Sequence, residues 1–130
     1  MSFQFSQHYT RDQARTLLPQ VQAWLETIQA ERDKLAKHEG RFENLLELGH
    51  DVGGKHVNQC VRALAAIKEA LNEFASREIQ VKDLDRGLVD FPSIMQGREV
   101  FLCWEMEEVD IGYWHDLDAG YAGRERLENE

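Results

Sequence analysis

Two short stretches of the chain carry the same acidic pattern: KDLDRG from Lys82 to Gly87 and, thirty-three positions later, HDLDAG from His115 to Gly120. In an extended segment alternate residues share a face. Asp83 and Asp85 would then project together, as would Asp116 and Asp118, with Leu84 and Leu117 turned the other way. Paired carboxylates with the His115 imidazole beside them are donors for a divalent ion such as Mg, Mn, Fe or Zn. The candidate metal ligands are therefore His115, Asp116, Asp118, Asp83 and Asp85, and a divalent metal is the cofactor such a site would take. A calcium EF-hand is excluded by counting. Loop positions six and twelve are Leu88 and Ile94 from Asp83, and Tyr121 and Leu127 from Asp116. The required Gly and Glu are missing both times. The plainer expectation, and the favoured one, is turn chemistry: Asp accepts local amides, Gly takes positive φ, and Lys82, Arg86 and Arg124 are at hand as charge partners.

Asp90 in LVDFP is the next candidate. If Val89 and Phe91 face a core, Asp90 faces the other way, toward a pocket, and if buried it must be paired. Gly97-Arg98 and GYAGRER offer flexible turns with guanidinium forks for an anion, although no P-loop or dinucleotide fingerprint occurs. Asp90, Arg98 and Arg124 are thus the candidate ligand-binding residues, with neutralisation of an acidic surface the simpler role for the arginines. A Cys103–His115–Asp116 triad can be written, but VFLCW places Cys103 inside a strand with no nucleophile signature around it. Cys103 and Cys60 are both expected to be small buried hydrophobes. His50 and His56 flank DVGGK at a spacing unlike common zinc motifs, and a surface loop is expected there.

The side chains that would hold such a site come from a chain of 130 residues, 42% hydrophobic and 30% charged. That composition fits one folded domain rather than a disordered segment. With 15 Lys and Arg against 24 Asp and Glu, the net charge is −9. Such a field repels phosphate backbones and anionic lipid, so no nucleic-acid or membrane partner is expected. No apolar run reaches membrane-spanning length. The opening MSFQFSQHYTRDQ lacks the cationic start and apolar run of a signal peptide. With two cysteines outside any CxxC pattern, the expected location is the cytoplasm.

The elements divide near residue 77. Thr10 and Gln13 form a capping-box pair at the start of a helix, and apolar residues follow at Ala14, Leu18, Val21, Leu25, Ile28 and Leu35. Pro19 predicts a kink or restart, and Gly40 an end or bend. RFENLLEL reads as a further short helical piece. A second helix, from about Val57 to Ser76, carries the stripe Val57, Val61, Leu64, Ile67, Leu71 and Phe74, expected to be core. EIQVK, GLVDFP, EVFLCWEM and IGYWH then read as short strands with a turn at QGR. The fold expected is α+β: residues 1–77 as a long kinked antiparallel helical hairpin, residues 78–130 as a small antiparallel sheet and tail. Both faces of EVFLCWEM are apolar. One packs on the helices, and the other needs a cover from the C-terminal tail or a second subunit.

YTRDQARTLLP, VKDLDRGLVDFP, GREVFLCWEMEE and IGYWHDLDAGYAGR together resemble the prokaryotic family known only as domain of unknown function 2203. The resemblance covers nearly the whole chain and is most specific from Val81 to Arg124. It implies a helical first part followed by an aromatic, acidic segment, and it brings no activity. The function expected from the residues is that of a cytoplasmic, self-associating binding or scaffold protein, most simply a homodimer. The alternative is a metal-dependent or small-ligand enzyme with an Asp/His site.

Overall fold

In a computed structural model of the chain, residues 2–47 and 54–128 are described, the side chains of 41–47 and of His56 excepted. Two helices precede a five-stranded antiparallel sheet, an α+β arrangement: α1 (Arg11–Glu47), α2 (Gly54–Ser76), β1 (Gln80–Asp83), β2 (Leu88–Met95), β3 (Arg98–Glu105), β4 (Tyr113–Asp116) and β5 (Glu125–Arg126), with a 3-10 turn at Tyr121–Gly123. The strands lie in chain order, β1-β2-β3-β4-β5.

The capping box forms as the side chains dictate. The Thr10 hydroxyl accepts from the Gln13 amide at 3.1 Å, and Gln13 Oε1 accepts from the Thr10 amide at 2.9 Å. Helix α1 neither restarts at Pro19 nor ends at Gly40, and RFENLLE, the described part of the piece at RFENLLEL, is its continuation. Pro19 lies on the solvent side, where the Arg15 carbonyl it leaves without a donor can be hydrated, while Leu18 and Val21 beside it are buried. Gly40 is likewise exposed, with open space where a Cβ would be.

Helix α2 corrects the sequence reading. Its buried residues are Ala63, Ala70 and Phe74, with Ile67 packed against them. Val57, Val61, Leu64 and Leu71, expected in the core, are exposed. The sequence carries two apolar stripes about 100° apart, and the one with small residues faces inward. Alanines allow a close approach of α1, which larger side chains would prevent. Trp24 of α1 meets Phe74 edge-on at 5.3 Å.

The core joins helices and sheet. Ala14, Leu18, Val21, Leu25 and Ile28 of α1 cluster with Val89 and Phe91 of β2, Leu102 and Trp104 of β3, and Ile79 and Ile111. The β2–β3 hairpin turns through Gln96 and Gly97, both at positive φ (52° and 78°), the conformation that two-residue hairpin loops demand. Met95 therefore faces Arg98, and the register continues to Asp90 opposite Cys103. EIQVK and IGYWH, whose pairing could have brought the two acidic motifs near each other, are kept apart by β2 and β3.

The sheet face away from the helices is covered from two directions. Leu117 to Tyr121 fold over it after β4. Residues 2–9 form a strap on the other side. Glu99 accepts from the Gln4 and Phe5 amides at 2.8 and 3.0 Å, Glu78 accepts from those of Ser6 and Gln7, and Tyr9 donates its amide to the Pro92 carbonyl. Phe5 sits edge-on to Phe101 at 5.4 Å.

Candidate functional site

The alternation that sends Val89, Phe91, Leu102 and Trp104 into the core sends Asp90 of β2, Cys103 of β3 and His115 of β4 to the covered face. Asp90 is 2% exposed, Cys103 1% and His115 3%. Cys103 stands opposite Asp90 on one side and Tyr113 on the other, and His115 lies two residues beyond Tyr113 on the same face. His115 Nε2 is 3.1 Å from Asp90 Oδ2. A carboxylate oxygen, the thiol sulfur and a ring nitrogen all lie within 4.8 Å of one another. Above them is a cavity of about 190 Å³ whose walls include Leu88, Phe101, Leu117 and Tyr121, with Lys82 at its edge.

The proton positions follow from the partners. His115 Nδ1 lies 2.8 Å from the Asp116 carbonyl oxygen. A carbonyl can only accept, so Nδ1 carries a hydrogen and Nε2 is the nitrogen turned to Asp90. Burial pushes the Asp90 carboxyl above its ordinary range, against the opposing pull of His115. Its Oδ1 is buried without a hydrogen-bond partner among the described residues. Burial, and then the nearby Asp90 charge, push the Cys103 thiol up to about 12. A thiol so hard to ionise is a poor free nucleophile. Arg124 is the nearest cation: its Nη1 is 3.9 Å from Cys103 Sγ. It is held by Glu108 at 3.0 Å and stacked on Tyr113 (3.7 Å) and Tyr121 (4.3 Å).

The acidic motifs are placed differently. Asp83 Oδ1 accepts from the Asp85 and Arg86 amides at 3.0 and 3.1 Å, an Asx turn. Asp85 pairs with Arg32 of α1. Gly87, at φ 66°, closes this turn; a Cβ there would lie 2.3 Å from Met106 Cγ. Asp116 forms its turn through its backbone, accepting from the Ala119 amide, while its carboxylate pairs with Arg98 at 3.2 Å. Asp118 is exposed. Asp83 pairs with Leu88, whereas Asp116 pairs with Val100, opposite Ser93. Five residue steps along the strand separate Leu88 from Ser93, about 17 Å. The structure thus brings together Asp90, His115 and Arg124 from the candidate residues. It leaves Arg98 on the surface over Trp114 and sets Asp83, Asp85, Asp116 and Asp118 in separate turns and ion pairs. His50 lies outside the described residues, as does the side chain of His56.

Cys103 is the member that sequence reasoning undervalued. The signal was present: a two-residue turn at Gln96-Gly97 fixes Met95 opposite Arg98, and counting outward puts Asp90 opposite Cys103. The convergence of His115 depended on strand order, which local patterns do not encode.

A two-helix layer under a five-stranded antiparallel sheet, with a buried Asp–Cys–His group on the outer face, defines the class. The chain belongs to the family described as uncharacterized conserved protein (DUF2203), whose model matches residues 7–127. It is also similar to translation initiation factor IF-2 of Pseudothermotoga lettingae, 27% identical over 124 residues. That match covers 92% of this chain but 17% of the longer protein, so the chain spans less than a fifth of that relative's length. No solved structure gives a significant match.

Proposed function

We propose that the protein binds a small polar ligand in the cavity on the outer sheet face, gripped at its floor by Asp90 and His115. The observation that carries this reading is the buried, 3.1 Å Asp90–His115 pair opening onto a cavity of about 190 Å³. Desolvated polar groups are costly unless paired, and the unpartnered Oδ1 of Asp90 supplies an acceptor that a ligand can satisfy. Lys82 at the edge favours a ligand with an anionic end, while Phe101, Leu117 and Tyr121 provide apolar walls. An enzyme acting on such a ligand is the extension of the same reading. Free Cys60 and Cys103 suit the reducing cytoplasm we assign to it.

The test is amide chemical-shift mapping with small carboxylates, phosphates and amines. Saturable shifts should centre on Lys82, Asp90, His115 and Tyr121. They should vanish in Ala119→Phe, which puts a bulky side chain in the cavity wall and leaves Asp90 and His115 themselves unchanged. Shifts elsewhere, or unchanged in that variant, would refute the reading.

A second reading, self-association as a homodimer, is favoured by the exposed stripe of α2. Val61 is 58% and Leu64 56% exposed, with Val57 and Leu71 above and below on the same face. Large apolar side chains on one helix face, interrupted at Lys68, are suited to a second copy of the chain.

A further inference from the structure

We propose that Asp90, Cys103 and His115 form a three-ligand site for a transition-metal dication, zinc foremost, with the fourth coordination position open to the cavity. The proposal rests on the ligand-site reading above and names its chemistry. The three residues supply one carboxylate oxygen, one sulfur and one imidazole nitrogen, all within 4.8 Å of each other. Tetrahedral zinc, with bonds of about 2.0–2.3 Å, holds its ligand atoms roughly 3.5 Å apart. His115 Nε2 and Asp90 Oδ2 already stand at 3.1 Å, so only small side-chain rotations are needed.

Among the described residues, this is the group of three or more His, Cys, Asp or Glu with metal-holding geometry. Each ligand comes from a different, adjacent strand, and the sheet holds their backbones in place. The second layer of contacts is also present. The Asp116 carbonyl takes the Nδ1 hydrogen of His115 and so aims Nε2 inward, the usual device for orienting a metal-bound imidazole. Arg124 lies beside the Cys103 sulfur and is itself clamped by Glu108. The buried Asp90 Oδ1, without a hydrogen-bond partner among the described residues, is a further sign that this group is built to receive something.

Charge selects the ion. One carboxylate and one thiolate bring two negative charges, which a dication neutralises in surroundings lined by Leu88, Phe101 and Leu117. Metal entry sends two protons to solvent, that of the thiol and the one held between His115 Nε2 and Asp90 Oδ2. Magnesium and calcium, which prefer all-oxygen shells, are disfavoured by the sulfur. Three protein ligands with a fourth position facing a cavity is the pattern of zinc sites that engage substrate or water rather than purely structural ones.

The test is titration of chelator-stripped full-length protein with Co²⁺ alone. One equivalent per chain should produce a sulfur-to-cobalt charge-transfer band in the near ultraviolet and intense tetrahedral d–d bands, both abolished by one equivalent of Zn²⁺. Cys60→Ser should keep the charge-transfer band and Cys103→Ser should lose it. Asp90→Asn can still donate a hydrogen bond to Nε2 and so should fold, yet bind Co²⁺ at least about 100-fold more weakly. Circular dichroism checks that each variant is folded. No charge-transfer band, or one that survives Cys103→Ser, would overturn the proposal. If Co²⁺ is refused while small carboxylates still shift the cavity resonances, the metal assignment falls and the cavity reading stands.

Discussion

At the residue scale, Asp90 and His115 should respond asymmetrically to mutation. His115→Ala takes the imidazole partner from a buried carboxyl and leaves a void where the ring stood, a change that costs about 3 kcal/mol. Asp90→Asn leaves His115 with a neutral donor of the same shape and should change stability by less than about 1 kcal/mol. Urea denaturation of the metal-free proteins at pH 7 measures both, and equal losses would contradict the assigned proton positions. The orientation of Asp90 was legible, because strand alternation alone turns it from Val89 and Phe91. Its partner was not. Asp83 and Asp116 looked like twins in sequence, yet one satisfies its turn with its carboxylate and the other with its backbone carbonyl. The same five letters therefore leave different atoms free.

At the element scale, the N-terminal strap is tied to the sheet by Glu99. Burial raises this carboxyl, but His8 at 2.7 Å and the Phe5 and Gln4 amides outweigh it and hold it below the ordinary value of 4.5. A carboxyl depressed in the folded state contributes stability that is present above its unfolded pKa and lost as pH falls through the folded one. Below pH 4.5 the melting temperature of the parent should thus fall more steeply than that of Glu99→Gln. Parallel curves would show that the strap contributes nothing. Asp110, depressed first by its hydrogen bond from Arg15, adds to the parent's acid loss but is common to both proteins. The capping box of α1 and the strands were readable because their signals are local. The passage of α1 through Pro19 and Gly40 was not, since each residue's cost depends on whether it faces water or a neighbour. The strap carries no periodic signal at all: its order comes from Glu78 and Glu99, more than 70 positions away.

At the scale of the whole molecule, the exposed face of α2 should govern assembly. Leu64→Glu places a charge in the middle of the stripe Val57, Val61, Leu64 and Leu71 without touching the Ala63–Ala70–Phe74 face that packs inward. Light scattering at micromolar concentration should give twice the chain mass for the parent and a single chain mass for the variant. A parent that stays monomeric at every accessible concentration would refute self-association. The sequence displayed both apolar stripes of α2, but which one faces the partner helix was decided by packing distance, a property of two helices together.

The central claim is that Asp90, Cys103 and His115 form a zinc site at the floor of the cavity. Native mass spectrometry of untagged protein, purified without chelator, tests it most directly. The parent should carry one added mass per chain, that of zinc, and Asp90→Asn should appear bare at the same oligomeric state. A bare parent, or an added mass retained in Asp90→Asn, would contradict the account.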